Sequence, residues 1–172
     1  LDSKVGEGTV FTISLPMVAT RVAPRRSGSP MTALAGDTHD GRGKLAVVVD
    51  DDIIVLTGME ATLKGWGYDV IAVGDTDAAL TAVKSTGRIP DIIIADYRLR
   101  RNRIGTETIL SVRDAVHADV PGVILTGEIG PEPQRDATVH NFGLLHKPVT
   151  PHQLALAIES RMPARSSVDK NN

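Results

Sequence analysis

From Leu45 onward the chain alternates short, wholly apolar runs with longer stretches whose apolar residues recur every three or four positions. Leu45–Val49 is apolar throughout and stops at Asp50-Asp51-Asp52. Residues 53–65 follow, with Val55, Leu56, Met59, Leu63 and then Trp66 at helical spacing, ended by Gly65 and Gly67. Residues 68–73 predict a second strand, and Asp69 within it suits a sheet edge. Asp75 or Thr76 caps a helix running to about residue 85, with Ala79, Leu80 and Val83 facing inward. Residues 91–96 read DIIIAD, an apolar run that ends on a carboxylate. Such a run suits a strand buried on both faces, and a charge at its end needs a partner, water or a cation. A helix over 106–116 carries Ile109, Val112 and Val116 on one face. Residues 122–126 predict a fourth strand and 142–146 a fifth. Between them, 131–140 is polar and poorly periodic, so a helix there is expected to be short or mobile. A last helix spans 151–162, opened by Thr150 as cap and Pro151 at its first position.

Five strands alternating with helices imply an α/β fold with a doubly wound parallel sheet. Of the common strand orders, 2-1-3-4-5 needs only five strands and places ligands beyond the carboxyl ends of strands one and three. Those ends carry Asp50, Asp51 and Asp52 after strand one and Asp96 after strand three. Thr126 ends strand four and Lys147 follows strand five. One such residue at a strand end is common by chance; one at all four ends is not.

The segment before this body is different in kind. Val10, Phe11, Thr12, Ile13, Ser14 and Leu15 predict a strand after the glycine turn Gly6 to Gly8, closed by Pro16, and it needs a partner. Residues 18–43 have no apolar period and read as a flexible linker. Within it Gly41-Arg42-Gly43-Lys44 fails as a phosphate loop, because Thr38 stands where the first glycine is needed and Leu45 where Ser or Thr is needed. His39 reads as a solvated linker side chain rather than a phospho-histidine. Residues 163–172 form a polar tail expected to be disordered.

Composition narrows the chemistry. The chain of 172 residues has no cysteine, which excludes disulfides, thiolate zinc sites and thiol catalysis. A net charge of −2, with no basic run interleaved with aromatics, argues against nucleic-acid binding. No apolar stretch is long enough to span a membrane, so this segment is expected to make no membrane contact. The first residue is Leu1 rather than Met, which points to a fragment of a longer chain.

Three carboxylates at one crevice repel unless a cation relieves them, and oxygen ligation with room for water favours Mg²⁺, with Mn²⁺ as a substitute. A carboxylate beside that metal can attack phosphorus and form an acyl phosphate. Lys147 and the Thr126 hydroxyl can then neutralise phosphoryl oxygens. Asp52 reads as an acid of the first helical turn, favoured by the helix dipole. His146 reads as structural, and Arg98 and Glu128 flank the crevice, where they can tune the lifetime of a phosphoryl group.

The run VVVDDD, the DIIIADYRL strand, VILTG and LLHKPV, in this order and spacing, resemble a receiver domain of two-component signalling over residues 44–162. The resemblance implies a flavodoxin-like fold and an Asp96 that takes phosphate from a phospho-histidine. It implies that Asp50 and Asp51 hold Mg²⁺ with Asp96 and the backbone carbonyl of Arg98. It also implies that Thr126, Gly127 and Lys147 bind the phosphoryl group, and that Lys147–Pro148 is cis. One departure stands out. Receivers often carry an aromatic switch residue three positions before the lysine, and here that position is Leu144. The weak helix over 131–140 is the better candidate for a bistable element.

The string GEGTVFTISLP, in residues 1–17, resembles the closing strand of the ATP-binding domain of sensor histidine kinases. With only ten residues after Met162, the expected context is the carboxyl-terminal receiver of a hybrid sensor kinase. That parent would be cytoplasmic here, with any membrane anchor lying upstream; the phosphate donor would be its own kinase or a histidine phosphotransfer protein. The motifs of kinase catalysis are absent from these residues, so an enzymatic role of the segment stays open, as does its oligomeric state. Three alternatives remain beside it. One is a stand-alone phosphate sink or adaptor receiver, another a receiver-like module that never takes phosphate. The third is a Mg²⁺-dependent phosphohydrolase of the haloacid-dehalogenase type using Asp50, Asp52, Thr126 and Lys147. That enzyme needs acids after the lysine, where only Glu159 and Asp169 stand, and it leaves Asp96 without a role.

Overall fold

The structure is a computed structural model that describes residues 2–4, 8–10 and 39–162. Near the amino terminus, β1 (Asp2–Lys4) pairs antiparallel with β2 (Gly8–Val10), Asp2 facing Val10. The strand expected from Val10 therefore begins at Gly8, and its partner is the polar run Asp2–Lys4, which carries no apolar signal of its own. Residues 11–15, most of the expected linker and the tail after Met162 lie outside the described residues.

The larger body contains a five-stranded sheet of β3 (Leu45–Val49), β4 (Asp69–Val73), β5 (Ile92–Asp96), β8 (Gly122–Thr126) and β9 (Gly143–His146). Its order is β4-β3-β5-β8-β9 and every pairing is parallel, which is the expected 2-1-3-4-5 winding. Successive side chains point to opposite faces. Val47, Val49, Ile93, Ala95 and Ile124 pack with α2 (Thr76–Thr86), α3 (Gly105–Val116) and α4 (Pro131–Val139). Ala46, Val48, Ile92, Ile94, Val123 and Leu125 pack with α1 (Ile53–Gly65) and α5 (Pro151–Arg161). Burial on both faces explains why these strands read as unbroken apolar runs. Each fully buried Ile or Leu contributes about 1.5–3 kcal/mol.

Helix ends follow the residues that favour them. Asp52 caps α1, Asp75 caps α2, and Thr150 with Gln153 forms a reciprocal capping box on α5. Asp69 lies on the exposed edge strand β4. The polar stretch after β8 does form a helix, α4, of nine residues, without a side-chain cap and held chiefly by buried Pro133 and Ala137.

Two features depart from the expected pattern. After β5 the chain makes a small antiparallel pair, β6 (Arg98–Leu99) and β7 (Arg103–Ile104), joined by the short helical turn Arg100–Asn102. Asn102 sits at φ 58°, a left-handed conformation that asparagine tolerates. The second correction concerns His39, which is only 7 % exposed rather than solvated. Its Nε2 lies 2.7 Å from the Tyr68 hydroxyl, its Nδ1 2.9 Å from Glu159, and its ring meets Trp66 edge-on. Gly41 follows against the Tyr68 ring, where a Cβ would come within 2.0 Å of a ring carbon. The chain has thus joined the folded body by residue 39, ahead of the expected boundary at Lys44. Local polarity hid this, because the apolar surfaces that bury the segment come from distant residues.

Candidate functional site

The carboxyl ends of the central strands converge as their order requires. Asp50 follows β3 directly and is 1 % exposed. Its Oδ1 accepts from the backbone N–H of Asp52 at 2.9 Å and its Oδ2 accepts from Lys147 Nζ at 2.8 Å. Asp96 ends β5, and its Oδ1 also lies 2.8 Å from Lys147 Nζ. Lys147 follows β9, and its backbone N–H donates to the Thr126 carbonyl at 2.7 Å, which ties the lysine to the end of β8. A single ammonium thus bridges two carboxylates from different strands. Asp51 completes the acidic group: one oxygen from each of Asp50, Asp51 and Asp96 lies within 4.8 Å of the others.

The ionisation of the pair follows from this geometry. Burial pushes the Asp96 carboxyl above its ordinary value, reinforced by the charges of Asp50 and Asp51 and opposed by Lys147. Burial alone would lower the Lys147 ammonium, but its hydrogen bonds to Asp50 and Asp96 outweigh it and raise the group. Lys147 is therefore a cation, and its charge favours the ionised form of Asp96 against the effect of burial. The donor set is entirely oxygen, close-set and acid-rich, which fits a hard divalent cation such as Mg²⁺ rather than a thiolate- or imidazole-seeking metal.

Thr126 is buried and lies one residue beyond Leu125, the register partner of Asp96. Its Oγ1 accepts from the Glu128 backbone N–H at 3.0 Å, which closes the loop after β8. Gly127 is exposed within this loop, and a Cβ built there meets nothing within 4 Å. No packing among the described residues therefore requires glycine at that position. Arg98 Nε donates to Glu128 Oε1 at 2.6 Å, an exposed bridge between the loops that follow Asp96 and Thr126. The Lys147–Pro148 peptide is cis.

Other candidates fall away from the cluster. Asp52 is spent as a cap, its Oδ1 accepting from Ile54 N at 2.8 Å. His146 is exposed, and Leu144 is half-buried against the core beneath α4. Glu159, an acid that a phosphohydrolase would need near the lysine, instead pairs with His39.

Three residues that shape the site carry little sequence signal. Gly105 opens α3, and a Cβ there would sit 2.2 Å from the carbonyl oxygen of Asp96. A lone glycine directly before a helical pattern was the available hint. Tyr97 is buried beside Asp96, and its hydroxyl donates to Asp136 of α4 at 2.8 Å. Arg100 Nε contacts Asp51 Oδ2 at 3.0 Å. An arginine in a run of four basic residues within six positions, 98–103, reads as a solvated loop.

Residues 46–159 match the family described as "Response regulator receiver domain". The sensor kinase CckA of Brucella abortus is 26 % identical over 172 residues, an alignment covering 94 % of this chain and 17 % of that protein. The transcriptional regulatory protein ZraR of Escherichia coli K12 is 29 % identical over 133 residues, covering 77 % of this chain and 29 % of its own length. The chain thus spans less than a third of either relative. Among solved structures, the chemotaxis protein CheY4 of Vibrio cholerae superposes with a TM-score of 0.61 at 26 % identity, covering 69 % of this chain and 98 % of that one.

Proposed function

The chain belongs to the response regulator receiver domain family of two-component signalling, and from that premise we propose that Asp96 accepts a phosphoryl group from a phospho-histidine. The observation that carries this reading is the Lys147 ammonium held 2.8 Å from both Asp50 and Asp96, with Asp51 in the same group. An oxygen of Asp96 forms the new P–O bond as the P–N bond to the donor imidazole breaks, and the departing nitrogen takes up a proton. Lys147 favours the ionised form of Asp96 before the transfer and faces the phosphoryl oxygens after it. Thr126 offers its hydroxyl from the neighbouring strand, and the exposed backbone at Gly127 leaves that side open to the donor. Asp50, Asp51 and Asp96, with the Arg98 carbonyl, are the residues that would hold Mg²⁺. When bound, the ion supplies positive charge against the phosphoryl oxygens.

The donor must reach Asp96 beside Lys147. A groove of about 650 Å³ begins at Lys147 and Pro148 and runs between α1 and α5 over Val55, Met59 and Leu154, with Ile54 exposed at its edge. This apolar surface, continuous with the site, suits a histidine-bearing helical donor, either a kinase domain or a phosphotransfer protein.

The parent context is a hybrid sensor kinase in the cytoplasm. The alignment to a sensor kinase across 94 % of this chain supports that reading, as does the GEGTVFTISLP string before the receiver. No helix among the described residues is long and apolar enough to cross a membrane.

Beryllofluoride with Mg²⁺ tests the site in the intact protein. The expected result is chemical-shift changes at Asp96, Thr126 and Lys147 that vanish in Asp96→Asn. Shifts centred elsewhere would overturn the assignment.

A further inference from the structure

Arg100 is the cation at this site that phosphoryl chemistry does not account for. It opens the turn between β6 and β7. Its Nε lies 3.0 Å from Asp51 Oδ2 and its Nη2 3.0 Å from the Asp51 backbone oxygen, so one guanidinium clasps both the side chain and the main chain of that residue. The other two acids of the cluster are held by Lys147. Each of the three carboxylates therefore already faces a cation supplied by the chain. The two cations differ in their hold. Lys147 binds two acids at once from within the crevice, whereas the Arg100 side chain is 75 % exposed on the turn joining two two-residue strands.

We infer that Arg100 is a built-in competitor for the divalent cation at Asp51, and that it sets the cation affinity of the acceptor site. This rests on the reading of Asp51 as a ligand of that cation. A guanidinium is always charged and presents its donors in a fixed fork, so it matches a carboxylate well at any physiological pH. A divalent ion that draws on Asp51 must share or displace that fork. Displacement is inexpensive for Arg100, because its exposed N–H groups regain water. It also has somewhere to go. Arg100 and Asp51 line a cavity of about 210 Å³ together with Asp75, Thr76, Asp77 and Arg103, so the guanidinium has open space into which it can swing off Asp51. The Lys147 bridge has no such exchange, since releasing it would leave buried Asp50 without its counter-charge.

Calorimetric titration of the intact protein with Mg²⁺ tests this, using wild type, Arg100→Ala, Arg103→Ala and Asp51→Asn. Arg100→Ala is expected to bind Mg²⁺ about two- to fivefold more tightly, the range an exposed ion pair can supply. Arg103→Ala removes the same charge from the same loop but not the Asp51 contact, and is expected to change affinity less. Equal gains in the two variants would reduce Arg100 to a general charge and overturn the inference, as would unchanged or weaker binding in Arg100→Ala. Asp51→Asn reports separately on the underlying reading. If it binds Mg²⁺ as wild type does, Asp51 is not a ligand. If it loses binding while Arg100→Ala gains nothing, the ligand stands and the competitor does not.

Discussion

The hydroxyl of Tyr97 donates to the carboxylate of Asp136 at 2.8 Å, which joins the residue next to Asp96 to the helix α4. Tyr97 is buried in the core cluster that also contains Ala137 of α4. With Leu144 at the position where an aromatic switch is common, this bond is the direct polar link from the Asp96 strand to α4. Tyr97→Phe keeps the ring and removes the link. It should cost about 0.5–1.5 kcal/mol, the net worth of one hydrogen bond. Faster amide exchange confined to 131–139, with Asp96 phosphorylation at its usual rate, is the expected outcome; unchanged exchange there would show that α4 is held by packing alone.

Alkaline pH should expose the same bond in another way. Burial, then the Asp136 hydrogen bond, pushes the Tyr97 phenol up to about 12, and burial with nearby acids does the same for Tyr68. The fold therefore favours both neutral phenols. Their contribution to stability is complete below the ordinary value of about 10 and is lost as pH rises through about 12. Ultraviolet titration should show no tyrosinate near pH 10 in the folded protein, and its appearance should coincide with loss of stability. A tyrosine ionising near its ordinary value would contradict the packing described.

Gly105 is fixed by the backbone rather than by choice of helix former. A Cβ there would meet the Asp96 carbonyl oxygen at 2.2 Å, and a carbonyl cannot yield as a flexible side chain can. Gly105→Ala should destabilise the domain by about 1–3 kcal/mol in denaturant unfolding, the usual range for overpacking. It should also slow Asp96 phosphorylation, because relief of the clash must move the acceptor strand or α3. A variant as stable and as reactive as wild type would mean that α3 shifts freely.

The Arg98–Glu128 bridge joins the loops that follow Asp96 and Thr126. Both side chains are substantially exposed, so Glu128→Ala should change stability by less than about 1 kcal/mol. Its expected effect is kinetic: a severalfold shorter life of the aspartyl phosphate, as water gains a path between the loops. The decay rate after removal of the phosphodonor measures it, and an unchanged rate would free the bridge of any such role.

The legible part of this chain is the part governed by local pattern. Val47 and Val48 face opposite helical layers, so β3 could only be apolar throughout, and its end at Asp50 was visible for that reason. The same logic located Asp96, Thr126 and Lys147. The capping residues Asp75 and Thr150 were legible because their backbone partners lie within a few positions. What escaped depends on distant partners. His39 is buried by Trp66, Tyr68 and Glu159, far along the chain, so its own neighbourhood looks like linker. Arg100 sits in a basic loop whose strands are two residues long, and only the folded sheet brings it to Asp51. Tyr97 reads as one more strand-end residue until α4 is in place.

Intact-mass spectrometry after incubation with acetyl phosphate and Mg²⁺ tests the central claim most directly. Wild type should gain one phosphoryl group, a gain that chelating the metal prevents, and Asp96→Asn should gain none. Labelling of Asp96→Asn at the wild-type rate would contradict the account, because the Lys147-bridged carboxylate would then not be the acceptor.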